Sequence, residues 1–388
     1  MIGSVRPRRA LLAAAAVTAA LAAAACGSGT ARPATRQPPA AAPVTMMTSR
    51  AGQGGAAWAV VEMGGPAASH DNFWQLFTRG SAGGGWRLAT PKGVADNGGL
   101  TVAQQAPGQL ITGFVPSQFL TFSPLARSAD NGASWSPGLI NGGLAALPGA
   151  LAAAPDGRLL AILRGGTVQL SAPGGTGWAK LTATAELAAT PAGRACGLTQ
   201  LTGAAFSPSG QPVLAGQCSR PGIAGIFTLS GGSWRAVATS PSGASALPQA
   251  GLVVAGLARL SAGDAAVLTA VTAAGPTLIP AWSAGQGRPW TLGAPLRLGS
   301  GELRSVSFSD DGGLAVVSGA AAGAILGGPG GSWQSLPALP AGSVTLVPGS
   351  HPQVLARSRT VLSAWQLSAG GWRRMQQVKV PIPFGSSG

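Results

Sequence analysis

The chain contains no tyrosine, two histidines, three cysteines and only ten acidic side chains in 388 residues. Each scarcity removes a class of chemistry. His70 and His351 stand far apart with too few further ligands for zinc. His70 is followed by Asp71, but neighbouring side chains point apart and no nucleophile elbow accompanies them. Paired-carboxylate hydrolysis is starved as well, because Asp130, Asp156, Asp264, Asp310 and Asp311 all fall in stretches that read as turns. Glu62, Asp71, Asp96, Glu186 and Glu302 remain outside turns. Helical periodicity is scarce, and no glycine-rich phosphate loop opens onto a helix. No catalytic residue, metal ligand or cofactor is assigned.

The N-terminus is of another kind. Arg6, Arg8 and Arg9 precede an apolar run from Ala10 to Ala25. That run is shorter than the roughly 20 residues of a spanning helix, and it reads as a signal peptide. The junction Ala-Ala-Ala-Cys26-Gly-Ser-Gly resembles a bacterial lipobox, although Ala23 stands where Leu is more usual. The resemblance implies lipidation of Cys26 after cleavage; secretion through an ordinary Ala-x-Ala site is the alternative. Residues 26–43 hold no bulky apolar side chain and read as a flexible tether.

What the chain has in quantity is turn residues and spaced tryptophans. There are 61 Gly and 31 Pro, and they interrupt each apolar run within about ten residues. Trp86, Trp135, Trp178, Trp234, Trp290, Trp333 and Trp372 recur every 39 to 56 residues. Around them a four-step unit repeats. In 150–181 an apolar strand is followed by the turn Pro155-Asp156-Gly157, two further strands, a Gly-rich turn and Trp178. Blades of β-propellers run about 40–50 residues. The expected fold is therefore all-β, a propeller of seven four-stranded blades, with six or eight as the bounds on the count. The blades are placed at 44–91, 92–142, 143–184, 185–241, 242–297, 298–340 and 341–384, followed by a disordered tail, 385–388. Residues 378–384 are expected to pair with the first blade.

One stretch is more specific. Ser128-Ala-Asp130-Asn-Gly132-Ala-Ser-Trp135 resembles the Asp-box of bacterial-neuraminidase repeats, found in sialidases and in many non-enzymatic propellers. Phe206-Ser-Pro-Ser-Gly210 and Phe308-Ser-Asp-Asp-Gly312 are similar to turns of WD40/YVTN-like repeats. Many sialidases use a tyrosine nucleophile with an arginine triad; here tyrosine is missing and no triad can be assigned. Ser128, Asp130, Gly132 and Trp135 are read as a structural turn.

Cys196 and Cys218 flank one hairpin, and an exported chain meets an oxidising compartment, so they are expected to form a disulfide. The formal net charge is +15, with only three lysines among 25 basic residues. Arg, Ala and Gly usage resembles that of actinobacterial secreted lipoproteins. Such a surface attracts anionic glycans, envelope polymers or lipid heads. The dense basic and aromatic interleaving of nucleic-acid readers is missing. Ligand-facing loops of propellers join successive blades or the second and third strands; here they carry Glu62, His70, Asp71, Asp96, Glu186, Arg194, Arg220 and Glu302. The expectation is a cell-surface lipoprotein on the outer face of the cytoplasmic membrane, whose non-catalytic propeller binds a protein or an anionic envelope polymer. A divergent sialidase-like hydrolase or lyase is the alternative.

Overall fold

Strands alternate with tight turns along the chain because apolar runs of four to ten residues are cut by Gly, Pro, Asn and Asp. The computed structural model describes residues 47–381, apart from 53–54, 65–71, 82–83, 93–98, 115–124, 137–147, 176, 238, 242–250, 273–274, 286–287, 299–300 and 320. The chain divides into two units, Met1–Ala41 and Ala42–Gly388. Every described residue belongs to the second. The signal peptide, Cys26, the tether, His70, Asp71, Asp96 and the tail lie outside the described residues.

Among the described residues the strands form seven successive antiparallel meanders. The first is β1–β4 (Met47–Ala51, Ala57–Gly64, Asn72–Arg79, Trp86–Leu88), and the second is β5–β7 (Leu100–Ala106, Gln109–Phe114, Leu125–Ser128). The third is β8–β11 (Pro148–Ala153, Leu159–Leu163, Thr167–Leu170, Ala179–Ala183). The fourth is β12–β15 (Leu198–Phe206, Pro212–Cys218, Ile226–Ser230, Ser233–Ala236). A short β16 (Thr239–Pro241) precedes the fifth, β17–β20 (Leu252–Leu260, Gly263–Thr272, Gly275–Ser283, Trp290–Leu292), and β21 (Leu296–Arg297) follows it. The sixth is β22–β25 (Leu303–Ser309, Leu314–Ser318, Ala322–Leu326, Trp333–Ser335). The seventh is β26–β29 (Ser343–Val347, Gln353–Arg357, Val361–Ser368, Gly371–Lys379).

The apolar core is divided among the gaps between neighbouring meanders. Ile111 and Leu125 pack with Leu151 and Leu159, and Leu160 and Ile162 pack with Phe206 and Leu214. Val213 and Ile226 meet Leu268 and Ile279. Val267 and Trp282 meet Phe308 and Leu314, and Val317 meets Leu346 and Val354. The last gap joins the ends of the series, because Leu355 and Leu362 share a cluster with Trp58, Val60 and Leu76. The meanders thus close in a ring. This is a β-propeller, and closure leaves few free sheet edges.

The inner strands meet unevenly around the axis. β1 pairs in parallel with β22, from Met47↔Ser305 to Ala51↔Ser309, so two inner edges satisfy each other. Ser49, Ser305, Ser307 and Thr345 are buried where β26 packs behind that pair. Their hydroxyls bond to one another: Ser49 Oγ donates to Ser307 Oγ at 2.7 Å, and Ser305 Oγ lies 2.8 Å from Thr345 Oγ1. Among the described residues β1, β5, β8, β12, β17 and β22, with Trp58 of β2, supply strand residues to the central cavity, whose volume is about 200 Å³. Gly149, Gly203 and Gly256 with neighbouring alanines line much of it.

Three local expectations are corrected. Glu186 and Arg194, expected in a loop, lie on two short helices, α1 (Thr184–Ala188) and α2 (Pro191–Cys196). Thr190 accepts from Gly193 N as the N-cap of α2, Pro191 occupies its first turn, and Gly197 closes it in the left-handed conformation; these are standard start and stop signals. Of residues 378–384, Val378 and Lys379 pair with β28 in their own meander (Leu362↔Val378, Val361↔Lys379), while 382–384 lie outside the described residues. The link of β29 to the first meander is made by a side chain: Gln376 accepts from Trp86 N at 2.6 Å and donates to Trp86 O at 2.7 Å. The third correction concerns Asp264, which lies inside β18 and is buried.

Candidate functional site

Strand alternation gives the ring two chemically different ends. Turns joining first to second and third to fourth strands share one end, here the turn end. Connections between second and third strands, and between meanders, share the other, the link end.

The Asp-box lies at the turn end and holds structure. Ser128 Oγ accepts from Gly132 N at 2.7 Å and donates to Asp130 Oδ1 at 2.8 Å. Asp130 also accepts from Ser134 N at 2.8 Å and Ser134 Oγ at 2.5 Å. These donors, Ser134 foremost, hold its carboxyl far below the usual carboxylate range. Asn131 takes a φ of 57° and Gly132 one of 79°. The turn is fastened to the preceding meander by four hydrogen bonds: Trp135 Nε1 donates to Ala89 O at 2.8 Å, Arg87 to Gly132 O at 2.9 Å and to Asn131 O at 2.8 Å, and Asn131 Nδ2 to Arg79 O at 3.0 Å.

The link end is where the sequence placed its candidate ligand residues. Glu62 is ion-paired with Arg357. Glu186 sits on α1 and is paired with Lys180, and Arg194 on α2 donates to Ala189 O. Arg220 and Glu302 are exposed. Glu62, expected in a loop, lies within β2, where it pairs with Trp74, and the others belong to connections at the third, fourth and sixth meanders; they do not gather into one cluster. Cys196 and Cys218 form the disulfide, with Cα atoms 5.1 Å apart, tying the end of α2 to the end of β13. Sequence reasoning missed a wider pattern at this end: Arg164, Arg194, Arg220, Arg297, Arg304 and Arg359 are all exposed there. The described acids of the link end are Glu62, Glu186 and Glu302, while all five described aspartates lie towards the turn end.

The turn end carries two open depressions. One, of about 790 Å³, lies between the first, sixth and seventh meanders and is lined by Arg79, Trp86, Asp311, His351 and Met375 among others. Beside it Arg50 Nε and Nη2 donate to Asp310 Oδ1 at 2.8 and 2.5 Å, so Asp310 is an ion-pair partner as well as a turn residue. Asp311 accepts from Gly313 N at 3.2 Å in its turn. The second, of about 540 Å³, lies between the fourth and fifth meanders and contains Asp264. Burial, opposed in part by Arg259, pushes the Asp264 carboxyl up to about 7. Among the described residues, no three His, Cys, Asp or Glu side chains gather as metal ligands.

No protein-family model matches this chain, and no curated protein does. Its similarities are to solved propeller-type structures. A proposed 6-phosphogluconolactonase from Bacteroides fragilis superposes with a TM-score of 0.51 at 12% identity, over 84% of this chain and 96% of that one. YCF48 from Cyanidioschyzon merolae gives 0.47 at 16% identity, over 80% and 92%. The six-bladed fucose-binding lectin of Aleuria aurantia gives 0.40 at 15% identity, over 87% and 96%. At these identities the likeness is one of fold: the chain is a β-propeller.

Proposed function

We propose that this chain is an exported, lipid-anchored propeller that binds an anionic cell-envelope polymer through its link end and does not turn it over. The observation that carries the reading is that six exposed arginines share that end with three glutamates, of which two are already ion-paired. Arginine matches phosphate and carboxylate groups in a fixed fork of donors, and a one-signed surface draws a polyanion from a distance. The absence of catalysis rests on how the described acids are used. Glu62, Asp156, Glu186 and Asp310 are ion-paired, and Asp130 and Asp311 hold turns. A glycosidase-type pair needs two carboxyls facing one bond. Anchoring through Cys26 would keep the ring at the outer face of the membrane, with residues 27–43 as spacer.

The test is binding of poly(glycerol phosphate) to the full chain at low and high salt. Binding at 50 mM salt that weakens at least tenfold at 300 mM is expected, since surface attractions are screened over about a Debye length. Replacing Arg220, Arg297 and Arg304 together with Ala should reduce binding at least tenfold at an unchanged melting temperature. Polymer binding untouched by those substitutions would overturn the reading. Anchoring is tested separately: Cys26→Ser should move the protein from the membrane fraction to the medium.

A further inference from the structure

Asp264 is the one buried acid among the described residues that makes neither a hydrogen bond nor an ion pair. Only 3% of the residue is exposed, and its Oδ1 is buried with no hydrogen-bond partner. Its register position makes the residue type conspicuous. Asp264 pairs with Ser283, the last residue of its third strand. The same position holds Ala57 in the first meander, Leu110 in the second, Leu160 in the third and Leu314 in the sixth. Four sister meanders therefore fill this place with aliphatic groups. A buried carboxyl left without partners costs stability, so packing does not account for it.

The cleft beside it is built from polar groups of two meanders. Ser207, Ser209 and Gln211 come from the first turn of the fourth meander, and Arg235 from its fourth strand; Ser283 and Arg288 come from the fifth. The walls are held close, since a side chain at Gly285 would meet Pro208 Cδ at 2.8 Å. Ser207 is engaged with Ser209 at 2.8 Å, and Ser283 accepts from Gly285 N at 3.1 Å. The guanidinium groups of Arg235 and Arg288 form no ion pair with a described residue and are exposed to solvent. A cleft of about 540 Å³ is in the range of small-molecule sites.

We propose that this cleft between the fourth and fifth meanders binds a saccharide unit bearing an anionic group, with Asp264 accepting from its hydroxyls and Arg235 and Arg288 holding the anion. Two cations at the rim disfavour a metal ion or an amine as the occupant. A hydroxyl donates to a carboxylate and accepts from a neutral carboxyl, so either form of Asp264 can bond it. The site lies at the turn end and is independent of the arginines of the link end.

Titration calorimetry on the full chain, with glucuronic acid, glucose and glycerol 3-phosphate as probes, tests the assignment. Glucuronic acid should bind, and glucose at least tenfold more weakly. Asp264→Leu, which installs the residue of the sister meanders, should abolish binding at an equal or higher melting temperature. Arg288→Ala should weaken glucuronic acid at least tenfold and leave glucose unaffected. Glycerol 3-phosphate binding in preference to glucuronic acid would overturn the saccharide assignment. Binding by none of the three, or full binding by Asp264→Leu, would reduce the cleft to a water-filled gap.

Discussion

Asp130 and Asp264 are the same residue type placed in opposite environments. Asp130 is exposed and surrounded by donors, and its carboxyl titrates below its unfolded value. Its contribution is present above about pH 4 and is lost as the pH falls through the depressed value. Asp130→Ala should lower the melting temperature at pH 7 and reduce the loss of stability below pH 4, as followed by circular dichroism. Asp264 behaves inversely. The unfolded chain releases its proton near pH 3.9, whereas the folded protein keeps it to about 7. Unfolding therefore releases a proton between those values, and stability falls as pH rises through that window. The full effect is on the order of 4 kcal/mol. Urea unfolding at pH 4.5 and 7.5 should show this decline in the wild type, and Asp264→Leu should flatten it.

Elements are joined to one another by a recurring strap. Trp135 Nε1 donates to Ala89 O, Trp333 Nε1 to Ala294 O, and Trp372 Nε1 to Pro337 O. In each case an indole beyond the third strand of its meander reaches the chain just beyond the fourth strand of the preceding meander. Across the closure Trp86 Nε1 donates instead to a side chain, Gln353 Oε1 at the start of β27. The tryptophan period is thus a record of contacts between repeats, which is why it survives where the Asp-box residues do not. The fourth meander adds a covalent strap. Its disulfide closes a span of 22 residues, for which chain entropy implies about 3 kcal/mol. Reduction, or Cys196→Ser with Cys218→Ser, should cost that amount in urea unfolding. An unchanged midpoint would mean that α2 and β13 hold their register without the bond.

At the scale of the molecule, the junction of β1 with β22 bridges residues some 260 positions apart in sequence. Arg50 contributes most there, donating to Asp310 and to the backbone of Arg259. Both partners of the ion pair are largely buried, with 15% and 10% of their side chains exposed. Removing one side of such a pair strands the other charge. Arg50→Ala should lower stability by about 3 kcal/mol, and Arg50→Lys should recover part of it. Loss of the first meander's protection in hydrogen exchange, with the fourth meander unaffected, would locate the defect at the junction.

The sequence by itself determined the class of fold, because turn residues and tryptophans are local and periodic. The strands around Pro155-Asp156-Gly157 and the role of Asp130 follow from side-chain chemistry within a few residues. The start and stop signals of α2, from Thr190 to Gly197, are equally local, but they stand as one short helix inside an all-β pattern. Only the tertiary structure decided the rest. The parallel β1–β22 junction, the exclusion of β26 from the central cavity and the sharing of one end by Arg164, Arg220, Arg297, Arg304 and Arg359 depend on residues far apart in the chain. Asp264 shows the physical reason most clearly. Gly263 beside it reads as a turn, and nothing in the neighbouring sequence reveals that a second meander packs over it and takes away its water.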